Sequence, residues 1–148
     1  MIVYRISLAI YSDNLVPSGN AARWNSKDVK MIYTAESRAL ACLENIVHRS
    51  AIRLQKQFRL LIINVPDNVS IDEIKEGDLM NSWQKFYNMA YTQSFGNTWI
   101  LAKSTAVLKV PSALVNDEFN YLLNPAHKDF SRIRIKKTEP FDFDERLK

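Results

Sequence analysis

An α+β domain, with strands at both ends of the chain and helices between them, is predicted by three features of the sequence. Residues 2–8 alternate apolar and polar side chains, as a half-buried strand does. From Ser37 to Leu54 the apolar residues Leu40, Leu43, Val47, Ala51 and Leu54 return every three or four positions, which is the spacing of one helix face. Phe58 to Val65 is the most apolar strand candidate, with both faces apolar between Leu60 and Ile63, which places it inside a sheet rather than at its border. The 148 residues suit one domain, 1–148, and the 47% that are hydrophobic supply a core of ordinary size.

The elements follow in order. After the first strand, residues 11–26 read as a loop, with Pro17, Gly19, Asn20 and Asn25 as turn formers. A short strand fits 30–34, and Ser37 stands where a hydroxyl would cap the helix that follows. Pro66-Asp67 ends the Phe58–Val65 strand. Residues 81–94 carry Trp83, Phe86, Tyr87, Ala90 and Tyr91 at helical spacing; Gly96-Asn97 should break that helix, and 98–103 should resume it. Trp83, Phe86, Tyr87 and Trp99 are expected in the core. Strands then fit 106–110, 118–123 and 130–136.

Several functional classes are disfavoured by composition. A single cysteine, Cys42, excludes an internal disulfide, and His48 and His127 stand too far apart for ordinary metal-ligand spacing, so a metal-free protein is expected. No apolar run approaches the roughly 18 to 20 residues that span a bilayer. The opening MIVYRISLAIYS has its arginine inside the apolar run and no small-residue cleavage site, so it reads as a strand and the protein as cytoplasmic. The net charge of +4 favours an anionic partner. Only Arg132 to Lys137 concentrates that charge, and its alternation equally suits a strand with one wet face.

The stretch RWNSKDVKMIYTAESRALACLE, from Arg23 to Glu44, carries the most chemistry. It sets an arginine, a tyrosine and a glutamate ten and eleven residues apart across a loop, a strand and a helix. Together they supply a cation for phosphate, an aromatic face for a ring and a carboxylate for charge stabilisation, a set suited to a nucleotide. Each has a plainer reading as well. Glu44 borders the apolar stripe of its helix, where a carboxylate needs a partner, and Arg5, Arg23 or His48 at i+4 would serve as one. Arg23 in a loop is ordinarily a surface charge, and Tyr33 in MIYTA ordinarily packs on its sheet. Ser112 after Pro111 suits a turn cap, and Asn124 before Pro125 suits a turn.

The same segments, taken with PSG at 17–19, FGNTWI at 95–100, LKVPSALV at 108–115, NYLLNPAH at 120–127 and the closing FDFDERL, resemble the RES-domain family of bacterial toxins over nearly the whole chain. The resemblance implies a fold similar to that of ADP-ribosyltransferase toxins, with NAD as substrate and no separate cofactor. It also implies a cognate antitoxin carrying an Xre-type helix-turn-helix domain, a homodimer within the toxin–antitoxin complex, and DNA contact only through the antitoxin. By position, Arg23, Tyr33 and Glu44 match the family's active-site trio, Ser112 its motif serine, and Asn120 and Asn124 its C-terminal asparagines. One departure is Ala21-Ala22, where many members place glycines before the arginine.

The expectation is therefore a toxin that breaks the nicotinamide–ribose bond of NAD. Arg23 would hold the pyrophosphate or a nearby ribose, Tyr33 would pack on or hydrogen-bond the nicotinamide end, and Glu44 would stabilise the oxocarbenium-like transition state. Ser112, Asn120 and Asn124 would shape the pocket. No second carboxylic acid is required, because nicotinamide leaves as a neutral molecule. The acceptor stays open between water, inorganic phosphate and a protein side chain. A competing expectation is a basic nucleic-acid-binding module built on Arg132 to Lys137, with salt-sensitive affinity and no chemistry on NAD.

Overall fold

A computed structural model describes residues 1–48 and 56–147. Seven strands form one mixed sheet: β1 Ile2–Leu8, β2 Ile32–Ala35, β3 Phe58–Asn64, β4 Ile71–Glu73, β5 Val107–Pro111, β6 Phe119–Leu123 and β7 Arg134–Phe141. Among the described residues two α-helices accompany them, α1 Arg38–His48 and α2 Met89–Ala102. The strand order is β4-β5-β6-β2-β1-β3-β7, antiparallel except for the β4/β5 pair. The α+β class is thus the observed one, and no helix among the described residues is long and apolar enough to cross a membrane.

Alternation divides the core between the two sheet faces. Odd-numbered β1 and β3 residues, Val3, Leu61 and Ile63, join Ile32, Val107 and Leu123 in a cluster on one face. On the other face lie two clusters side by side. Leu108, Val110 and Leu122 pack with Trp24, Trp83 and the α2 residues Trp99 and Ile100. Ile6, Ala35, Leu60 and Ile62 pack with Leu40 and Ala41 of α1. These two clusters meet at the β2/β1 junction, where a single register pair, Tyr4 with Ala35, joins the halves of the sheet. That seam is where the site lies.

Local chemistry explains most of the elements. The Ser37 hydroxyl accepts from the Leu40 amide at 3.0 Å and caps α1 as its position predicts. The continuation of that helix from residue 49 to Leu54 falls outside the described residues. β3 lies between β1 and β7, interior as its two apolar faces require. β2, β5 and β6 each fall within about two residues of their expected bounds.

Three expectations are corrected. The second helix does not run over 81–94 and break at Gly96-Asn97; it begins at Met89, after a 3-10 turn at Phe86–Asn88, and continues unbroken to Ala102. Glycine costs a helix interior about 1 kcal/mol relative to alanine, but a β-carbon at Gly96 would overlap the carbonyl of Trp24. The residue therefore marks a close approach between the helix and the Arg23 turn. Trp83 and Trp99 are buried, whereas Phe86 and Tyr87, expected in the core, are 81% and 77% exposed. The last strand begins at Arg134, with Phe130–Arg132 a 3-10 turn before it. β4 went unforeseen because its three residues are all exposed and carry no periodic signal.

Candidate functional site

Glu44 projects from α1 across the seam onto β6. Its Oε1 accepts a 2.8 Å hydrogen bond from Asn120 Nδ2, and Asn120 pairs with Ala35 in the sheet register. Its Oε2 lies 3.7 Å from His48 Nε2, one turn further along the helix. The carboxylate is 26% exposed, held on one side by an amide and open on the other. Arg5 is not its partner: it alternates to the opposite sheet face with Val3, and its guanidinium donates to the Val16 carbonyl.

Arg23 and Tyr33 both lie where the charge of Glu44 acts on them. The Arg23 guanidinium donates through Nη1 to the carbonyls of Trp83 and Lys85, both at 3.2 Å, and through Nη2 to that of Gln84 at 2.8 Å. Three of its five N–H groups are thus satisfied by neutral oxygens, which leave the positive charge uncompensated. Nε–H and one Nη2–H have no protein partner among the described residues, which leaves donors of the kind that grip a phosphate or a pair of ribose hydroxyls. Partial burial lowers the Arg23 pKa, and Glu44 and Tyr33 partly offset the effect.

The Tyr33 hydroxyl is committed inside the protein. It accepts from the Trp24 amide at 3.0 Å and donates to Asn25 Oδ1. Its ring packs with the α2-side cluster. A hydrogen bond from this hydroxyl to a nicotinamide, one of its expected roles, is therefore replaced by an internal one that fixes the turn carrying Arg23. Burial is the main cause that pushes the phenol well above the usual tyrosine value, with Glu44 adding to it. A group whose folded pKa is raised stabilises the fold below its unfolded value of 10.0, and that stability is lost as pH climbs through the folded value. In an alkaline titration followed by phenolate absorbance, Tyr33 is expected to ionise only together with unfolding. Its ionisation before the fold is lost would show the hydroxyl to be open to water.

The remaining expected residues divide. Asn120 belongs to the site through Glu44. The buried Ser112 hydroxyl accepts from the amides of Leu114 and Val115, so it caps the turn between β5 and β6. Asn124 is fully buried, donates to the Ile100 carbonyl and accepts from the Ala126 amide. It lies four residues beyond Asn120, about 13 Å away at strand spacing, and presents no group to a ligand. The expected place of Asn124 in the pocket is thus corrected to a turn that joins β6 to the end of α2.

Other residues, given no part in the site from sequence, build the Arg23 turn. Thr92, fully buried on α2, donates to the Arg23 carbonyl, and Gln93 donates to that of Ala22 at 2.9 Å. Asn97 accepts from the Ser26 amide and donates to its hydroxyl. Asn25 Nδ2 spans the carbonyls of Asn20, Ser26 and Val29. The RWN and FGNTWI segments are therefore two halves of one joint, 71 residues apart, and their separation hides the pairing in a single sequence. Two clefts, of about 490 and 350 Å³, lie elsewhere, one between β4, β5 and α2 and the other around Leu15 and Phe130. Neither is lined by Arg23, Tyr33 or Glu44.

The basic run is dispersed by the fold. Arg132 lies 3.8 Å from Asp129, and Lys137 lies 3.4 Å from Glu139. The rest of the run decorates β7, an edge strand, where exposed charge discourages strand addition by another chain.

The comparisons with known proteins agree with this architecture. The RES domain family model matches residues 2–144. The chain is 38% identical to the "Prs ADP-ribosylating toxin" of Sphingobium sp. over 92% of this chain and 88% of that protein. It is 35% identical to a "Toxin Res" of Yersinia enterocolitica over the full length of both. The fold matches a chain in the crystal structure of the M. tuberculosis MbcT-MbcA toxin-antitoxin complex, with a TM-score of 0.78 and 18% identity over 95% of this chain and 84% of that one. The protein belongs to the RES-domain family.

Proposed function

We propose that this protein is a toxin that consumes NAD by breaking its nicotinamide–ribose bond. The observation that carries the reading is the seam itself, where a guanidinium with free N–H groups and a carboxylate fixed by an amide stand within electrostatic reach of each other. As the bond to the cationic nicotinamide breaks, positive charge builds on the ribose, and a nearby fixed carboxylate stabilises it more than it stabilises the neutral ground-state sugar. Arg23 offers its free N–H groups to the pyrophosphate or the adjoining ribose. Asn120 aims the Glu44 carboxylate. Tyr33 and Asn25 hold the Arg23 turn, while Ser112 shapes the turn beyond β5.

A second reading, transfer of ADP-ribose to a protein, is favoured by the name of the Sphingobium relative. It uses the same donor site and differs only in what attacks the ribose. Water would make the enzyme a glycohydrolase, and inorganic phosphate a phosphorolase.

An enzyme that consumes NAD needs restraint in its own cell, and the proposed restraint is an Xre-type antitoxin that covers the seam, with an acidic group set against the free N–H groups of Arg23. The test is direct. Purified protein freed of antitoxin, incubated with NAD with and without phosphate, is expected to release nicotinamide, and mass spectrometry of the ribose product identifies the acceptor. Adding the antitoxin should stop the release. A folded sample that releases no nicotinamide under any of these conditions would falsify the proposal.

A further inference from the structure

The segment gripped by Arg23 leads directly into two aromatic side chains left largely in solvent. Lys85, whose carbonyl accepts from Arg23, is followed by Phe86 and Tyr87, 81% and 77% exposed. Burying a side chain of this size is ordinarily worth about 1.5 to 3 kcal/mol, so two adjacent rings left in water on an otherwise ordered segment forgo that stabilisation. The segment beneath them is tightly held. Trp83 is buried, its ring centroid lies 5.7 Å from that of Trp24 in a tilted pair, and it donates to Glu76. Asn88 closes the other end, its amide donating to the Lys85 carbonyl and its side chain to that of Ser82. The rings are thus presented on a platform fixed to the cation of the site, with only one peptide unit between the Arg23 contact and the Phe86 backbone.

We infer that Phe86 and Tyr87 form a stacking platform for the adenine base of the substrate. This deepens the NAD reading given above and rests on it. A dinucleotide carries a flat base one ribose away from its pyrophosphate. The protein has exposed rings on a rigid support. The two rings follow a carbonyl held by a guanidinium suited to phosphate, and that pairing of aromatic and cation fits a nucleotide base better than a protein face. Stacking a base on an aromatic side chain is sequence-tolerant and contributes substantially to nucleotide binding. It also leaves the nicotinamide end free to reach Glu44.

The test compares NAD with nicotinamide mononucleotide, which has the same scissile bond and no adenine, on the wild-type protein and on the Phe86→Ala/Tyr87→Ala variant. The variant is expected to raise the KM for NAD about ten- to a hundredfold, leave kcat nearly unchanged, and handle the mononucleotide as the wild type does. A calorimetric titration with ADP-ribose supplies a readout without chemistry: the wild type should bind it, and the variant should bind it more weakly by a similar factor. Equal ADP-ribose affinity in the two proteins overturns the inference. So does equal damage to both substrates, or a variant that keeps its NAD kinetics and loses only its inhibition by antitoxin, which would assign the rings to the protein partner. If the wild type binds ADP-ribose through these rings but releases no nicotinamide, the platform stands and the proposed reaction falls.

Discussion

Glu44→Gln is expected to abolish most nicotinamide release, by 100-fold or more, with the thermal midpoint little changed. Glutamine keeps the shape and leaves an Oε1 acceptor for Asn120 Nδ2, now at 2.8 Å, so the contact that orients the side chain survives. What disappears is the negative charge. A fixed charge facing a developing cation is worth on the order of 3 kcal/mol of barrier, and each 1.36 kcal/mol is tenfold in rate. The loss should fall on kcat more than on KM, because the ground-state sugar carries much less of the charge that the carboxylate meets in the transition state. A variant that turns over NAD normally would reduce Glu44 to a structural tie between α1 and β6. One that melts far below the wild type would make the same point by a different route.

The variant's effect depends on how rigidly the seam is built, and the sequence discloses only part of that construction. β1, β3 and the start of α1 are legible because their signals are local: alternation, a two-faced apolar run, and a serine hydroxyl within reach of the amide three residues on. α2 is misread at Gly96 because helix propensity treats glycine as a breaker, while here the carbonyl of Trp24 occupies the space a β-carbon would need. Phe86 and Tyr87 follow Trp83 at helical spacing, yet the chain at that point turns to offer its carbonyls to Arg23, and the two rings are left outside. β4 is created by pairing with β5 and has no periodicity of its own.

The site shows the same division. The spacing of Arg23, Tyr33 and Glu44 does reflect their common neighbourhood, since a strand running into a helix carries the second and third to the seam. The use made of each group is less visible. The Tyr33 hydroxyl answers to two atoms of a loop eight and nine residues earlier. Asn120 and Asn124 look alike in NYLLN, but one faces a carboxylate and the other ends buried in a turn. Side-chain partners set by tertiary packing decide such roles, and one sequence without its fold does not contain them.

Arg23→Lys, although it conserves charge, is expected to cost about as much as the glutamate substitution. An ammonium group is a compact donor on a flexible stem, whereas this guanidinium reaches three carbonyls at 2.8 to 3.2 Å and keeps further N–H groups free. Lysine cannot do both. If it turns to the carbonyls of residues 83–85, no fork remains for phosphate or ribose; if it turns to the ligand, the segment bearing Phe86 and Tyr87 loses its clasp. In either case kcat/KM for NAD should fall on the order of 100-fold, about 3 kcal/mol, with more of the loss in KM than Glu44→Gln shows, because phosphate contacts act in the ground state as well as in the transition state. The fluorescence of Trp24 and Trp83, packed beside the clasp, should report its loosening. Unchanged KM with unchanged fluorescence would mean that a point charge suffices at this position, and that the three carbonyls are held equally well without the arginine.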